Sequence, residues 1–92
     1  MDENALRAVF ASLPRVVAAY VRDPRVGDPE HADVVLYVEV TPPYRDELGS
    51  EVRAAIKPVV GDGASRGTFV QSAAHPYQGM LVGATRIYGK RP

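Results

Sequence analysis

The chain has no cysteine and no tryptophan, and only two phenylalanines among its 92 residues. Without cysteine, disulfides, zinc–thiolate clusters, Fe–S centres and a thiol nucleophile are excluded together. No run of roughly eighteen apolar residues occurs, so no segment is predicted to span a bilayer. The first residues, Met1-Asp2-Glu3-Asn4, are acidic where a secretory leader is basic, which predicts a cytoplasmic, soluble protein. Acidic side chains are also missing from the last third: all eleven lie at or before Asp62.

What is present is ordinary for a globular chain. Apolar residues make up 46% and charged ones 24%, well away from the composition of disordered segments. There is no internal repeat, low-complexity run or linker, so residues 1–92 are expected to form a single domain. So small a domain hides only about 60% of the surface its unfolded chain exposes, and its core is thin. Residues 1–62 carry seven basic and eleven acidic side chains, a net of −4, whereas residues 63–92 carry four basic ones, a net of +4. Such a split marks either an anion-binding tail or a basic third that folds onto the acidic two-thirds and neutralises it. For a chain this short the second reading is the simpler.

Residues 3–13 read as a helix. Asp2 is placed to cap it, and Ala5, Leu6, Val9, Phe10 and Leu13 recur at helical spacing before Pro14 ends it. Arg15–Arg22 and Asp33–Val40 read as strands of an antiparallel hairpin, joined by the polar stretch 23–32. In the second, Val34, Leu36, Val38 and Val40 face one way and Val35, Tyr37 and Glu39 the other. Thr41-Pro42-Pro43 predicts a helix entry with a capping hydroxyl. Tyr44, Leu48, Val52, Ala55, Ile56 and Val59 form its apolar stripe, with a weak point at Gly49-Ser50 and an end near Lys57 set by Pro58. A turn at Gly61-Asp62-Gly63 and a strand over Arg66–Ser72 follow. Residues 77–88 are ambiguous between a short helix over 77–83 and a last strand over 80–88. The order α-β-β-α-β belongs to the α+β class: a small antiparallel sheet with two main helices on one face.

The motifs that resemble chemistry fail on context. Gly63-Ala64-Ser65-Arg66-Gly67 matches the Gly-x-Ser-x-Gly of a hydrolase nucleophile elbow, but a strand follows it instead of a helix, and no acid comes later. Gly61-Asp62-Gly63 with Gly67 is one residue too long for a dinucleotide fingerprint, and Gly89-Lys90 lacks the hydroxyl residue of a phosphate loop. His31, among Asp28, Glu30 and Asp33, is a lone histidine in a solvated acidic turn, so no metal and no other cofactor is expected. His75, before Pro76, has no acid near it in sequence and reads as a loop residue. No catalytic residue is assigned, and the chain is not expected to be an enzyme.

Five tyrosines remain to be placed: 20, 37, 44, 77 and 88. Packing accounts for most of them. Tyr37, sharing a strand face with Glu39, is the best candidate for contact with a partner. RNA-binding sheets of this class carry aromatic and basic residues in a short signature that is absent here, so nucleic acid is not the expected partner. The terminus, with Arg86, Tyr88, Lys90 and Arg91, has a cationic and aromatic character suited to an acidic protein surface or, as the alternative function, to a small anion- or nucleic-acid-binding module. A thin core with an open sheet edge is also compatible with a homodimer.

The segments ALRAVFASLP, VVAAYVRD, VVLYVEV, AAIKPVV and RIYGKR, in that order, resemble the C-terminal domain of the SseB (enhanced serine sensitivity) family, over about Ala5 to Arg91. Arg86 and Ile87 stand where that family has Pro and Phe. The resemblance implies no catalytic residues. It implies a bacterial cytoplasmic accessory domain acting through a protein partner. The residues themselves, read above, make Tyr37, Glu39, Arg86, Tyr88, Lys90 and Arg91 the candidate contact residues of a non-catalytic protein–protein interaction domain.

Overall fold

A computed structural model describes residues 2–23, 34–76 and 78–89. The chain forms an α+β fold with the elements α1 (Glu3–Ser12), β1 (Val16–Arg22), β2 (Val35–Val40), α2 (Asp46–Val60), α3 (Asp62–Arg66), β3 (Phe69–Ser72), α4 (Gln78–Leu81) and β4 (Thr85–Gly89). Asp2 caps α1 as expected, its Oδ1 accepting from the Ala5 amide at 3.0 Å. The helix closes on the Leu13 amide, which donates to Phe10 O.

The four strands lie in the order β3-β2-β1-β4. β1 and β2 form the expected antiparallel hairpin, and β4 is antiparallel to β1. β3 runs parallel to β2, so the sheet is mixed where a purely antiparallel one was expected. The cause is the length of the connection. α2 has 15 residues, about 22 Å at the helical rise, enough to carry the chain back along the sheet and return it in the same direction. The second crossover, from β3 across to β4, travels the opposite way and passes over the opposite face, which gives both crossovers the same hand.

The two main helices pack on one face, as their stripes require. Leu6 and Phe10 of α1 and Leu48, Val52 and Ile56 of α2 bury against Leu36, Val38 and Val40 of β2, with Val16, Ala19, Val70 and Ile87 from the other strands. The second face carries a smaller cluster in which Tyr20 and Leu81 pack on Val35 and Tyr37.

Several local expectations are corrected. Thr41 does not cap α2, which starts five residues later. The Arg15 guanidinium bonds Thr41 Oγ1 at 3.1 Å, Thr41 O at 2.6 Å and Pro43 O at 2.7 Å, and holds this segment out of the helix. Asp46 and Glu47 instead place negative charge in the first turn. The helix runs unbroken through Gly49, where the Tyr44 hydroxyl occupies the space a methyl would take, 2.7 Å from that position. It also continues past Pro58 to Val60. The carbonyl that Pro58 leaves without its helical donor is that of Ala54, and both residues are exposed, so the lost bond falls on the side of the helix where solvent can compensate it. The expected turn at 61–63 and the start of the strand at Arg66 give way to α3. There, Ser65 Oγ donates to Arg53 O at 2.7 Å and Thr68 Oγ1 to Ala64 O at 2.8 Å. Over residues 78–88 both readings occur in turn, a helix and then a strand, separated by Gly83 at φ 75°; Tyr77 lies outside the described residues.

Candidate interaction surface

The register places side chains of the second face in two rungs across the sheet. One rung is Phe69–Tyr37–Tyr20–Arg86 and the next is Gln71–Glu39–Ala18–Gly89. Tyr37, Glu39 and Arg86 are therefore brought together as neighbours. Tyr20, Phe69 and Gln71 join them.

Tyr37 points to the expected face but is only 2% exposed. The crossover that carries α4 lays Leu81 over it, and its ring meets Tyr20 at 6.0 Å and 50°. It supports the surface and does not form it. Phe69, one strand further out, is 40% exposed and is the most exposed aromatic residue on this rung, Tyr20 being half-buried.

Glu39 is half-buried, with Tyr20 Oη donating to its Oε1 at a long 3.5 Å. Desolvation by burial pushes its carboxyl above the ordinary 4.5, while the Tyr20 hydrogen bond and the nearby Arg86 charge pull it down less strongly. Arg86 owes its position to a bulge. The β1–β4 register slips between Ala19 and Tyr20, leaving Ile87 as an extra residue. Arg86 and Gly89 thus come to the same face, where the guanidinium lies 3.0 Å from the position a Gly89 side chain would take. The same slip turns Tyr88 the other way. Its ring packs on Phe10, centroids 5.8 Å apart and planes at 41°, on the helix side of the sheet. Tyr88 therefore does not share a face with Tyr37, Glu39 and Arg86. Lys90 and Arg91 lie outside the described residues, as does His31.

Of the four basic residues of the last third, Arg86 lies beside Glu39, and Arg66 Nη2 reaches Asp62 Oδ2 at 3.0 Å in an exposed local pair, where Lys57 Nζ reaches the same carboxylate at 3.4 Å. Ser65 is buried and spends its hydroxyl on a backbone carbonyl. His75 is exposed, its amide donating to Ser72 O and its carbonyl accepting from Gln71 Nε2. Among the described residues no group of three or more His, Cys, Asp or Glu could hold a metal ion, and no helix is long and apolar enough to cross a membrane.

Phe69 and Gln71 were missed as surface residues in the sequence, although their alternation with Val70 and Ser72 was the available signal. Which face that alternation joins depends on the parallel register, which no local pattern carries. No protein-family model, curated protein or solved structure matches the chain.

The Glu39 environment gives a pH dependence. A carboxyl whose folded value is raised binds its proton more tightly in the folded state, so stability falls as pH rises from the ordinary value through the raised one. Above that window the burial penalty is fully present. Glu39→Gln should therefore increase stability at pH 7 and remove this decline from urea midpoints measured between pH 4 and pH 7. An unchanged slope in the variant would show that Glu39 is solvated.

Proposed function

We propose that the chain is a non-catalytic bacterial accessory domain that acts through contact with another protein, as its resemblance to the SseB C-terminal domain implies. The observation that carries this reading is the grouping of Tyr20, Glu39 and Arg86 with the exposed Phe69 and the half-buried Gln71 on one sheet face. Aromatic and arginine side chains are enriched among the residues that dominate binding energy at protein interfaces, aromatic rings because they present large area at small conformational cost and arginine because its planar fork makes several directed hydrogen bonds. Arg86 beside a partly desolvated carboxylate suits a polar protein surface better than a polyanion. Nucleic acid binding that matters at physiological salt uses many phosphate contacts, and an acid at the centre of the face repels them.

The test compares affinity capture by the parent chain and by Arg86→Glu. Proteins retained by the parent and lost with the variant, at unchanged circular dichroism, are the expected result. Equal recovery by both would remove this face from the interface. Capture of nucleic acid that declines steeply with added salt would replace the reading with the anion-binding one.

A further inference from the structure

The two outer edges of the sheet are built differently. On β4, the bulge at Ile87 interrupts the ladder, a charged residue, Arg86, sits on the strand, and Arg7 Nε donates to the Ile87 carbonyl at 2.8 Å. Bulges, charges and covering side chains are the devices by which proteins prevent strand addition. Among the described residues β3 has neither a bulge nor a charge on the strand; its one cover is at its start, where Arg53 Nε donates to the Thr68 carbonyl at 3.0 Å. The strand pairs with β2 in step over all four residues, and Thr68 to Ala74 contain neither a charged residue nor proline.

The orientation of its peptide groups follows from its neighbours. The Ala73 amide donates inward to Val40 O at 2.7 Å, and the Thr68 carbonyl, at a position of opposite parity, accepts from Arg53 Nε at 3.0 Å. Strand alternation therefore turns the peptide groups of Val70 and Ser72 toward the outside. The Ser72 carbonyl accepts one bond from the His75 amide and keeps a second lone pair.

We infer that β3 pairs antiparallel with β3 of a second copy of this chain, about a two-fold axis at Gln71, to give a continuous sheet of two subunits. In that register Val70 exchanges both peptide hydrogen bonds with Ser72 of the partner subunit, and symmetry repeats the exchange. Gln71 meets Gln71 of the partner subunit, amide to amide. Phe69 covers Ala73 of the partner subunit, an apolar ring on a half-buried methyl. No charge opposes a like charge, which is the condition a self-paired edge must meet. The match favours a second copy over an unrelated strand, because the outward peptide groups of Val70 and Ser72 pair with each other under the two-fold and the uncharged residues of this edge meet uncharged residues. The ladder is short, so the dimer belongs to the small, rapidly exchanging class of interfaces. The pairing shares Phe69 and Gln71 with the contact face proposed above, but its tests read self-association of the chain alone and need no other protein.

Because the chain has no cysteine, a single introduced one forms only intermolecular disulfides. Gln71→Cys should oxidise to a covalent dimer at least about tenfold faster than the control Thr85→Cys on the protected edge, since only the former brings the two β-carbons to bonding distance. In sedimentation velocity the average mass of the parent chain should rise with concentration, whereas Phe69→Lys should remain monomeric. If Phe69→Lys fails to fold, Gln71→Lys places the same repulsion on the axis. Equal cross-linking at positions 71 and 85, or a parent chain that stays monomeric to millimolar concentration, would overturn the inference. A dimer that persists in Phe69→Lys or Gln71→Lys would place the contact elsewhere and overturn it equally.

Discussion

Phe10→Ala should lower the unfolding free energy by about 3–5 kcal/mol, the range for removing a fully buried aromatic ring from a core. Phe10 has no exposed surface, and its ring joins α1 to the sheet on one side and to Tyr88 on the other. A domain of 92 residues has roughly 5–14 kcal/mol of stability in total, so the loss is a large share of it. The thin core makes collapse around the cavity hard, because α1 is tied at both ends. Asp2 and the Phe10 carbonyl fix its caps, and Arg7 fastens it to β4. Urea denaturation followed by circular dichroism measures the loss. Hydrogen exchange should show the amides of α1 and β4 opening before those of β1 and β2. Tyr88→Phe keeps the ring contact and should stay within about 0.5 kcal/mol of the parent. A Phe10→Ala variant within 1 kcal/mol of the parent would mean that α1 does not dock on this face at all.

The parts of this arrangement that were legible in the sequence are the ones governed by local periodicity. Leu36, Val38 and Val40 face the helices, and Tyr37 and Glu39 face away, because a strand alternates and nothing in β2 interrupts it. α1 was readable from Asp2 to Pro14 for a similar reason, since both signals act within one turn. The rest depends on distance and register. The parallel entry of β3 follows from the length of α2, and α2 runs past Pro58 because the lost bond faces water. Tyr37 lies covered because the return crossover must take the face that α2 leaves, and Leu81 is the residue it puts there. Tyr88 changes sides because a single extra residue, Ile87, reverses the alternation for everything after it. Of the expected contact residues, Glu39 and Arg86 meet on the surface across β1, a proximity visible only once the strand order β2-β1-β4 is known.

Gly61→Ala should cost roughly 1–3 kcal/mol, and the cost should come from the backbone alone. Gly61 has φ 87° and ψ 168°, a region essentially closed to residues with a β-carbon. No atom lies within 4 Å of where that carbon would be, so crowding does not contribute. The residue is a joint between two helices: its amide donates to Lys57 O at 2.9 Å to end α2, and its carbonyl accepts from Ser65 N at 3.0 Å to begin α3. A shift toward an ordinary φ breaks one of these bonds. It also misdirects α3, whose Ser65 is anchored to Arg53 O and whose end leads directly into β3. The amides of β3 should therefore lose protection in hydrogen exchange before those of β2, and the lowered urea midpoint should appear without a change in slope. Chemical synthesis separates the backbone effect from any other, because D-alanine at position 61 adopts this φ without strain while adding the same methyl group. The D-alanine protein should equal or exceed the parent by about 0.4–1 kcal/mol, since it narrows the unfolded ensemble. Equal loss with L- and D-alanine would show that the methyl group meets a neighbour, and no loss with L-alanine would show that the joint relaxes to a negative φ in solution.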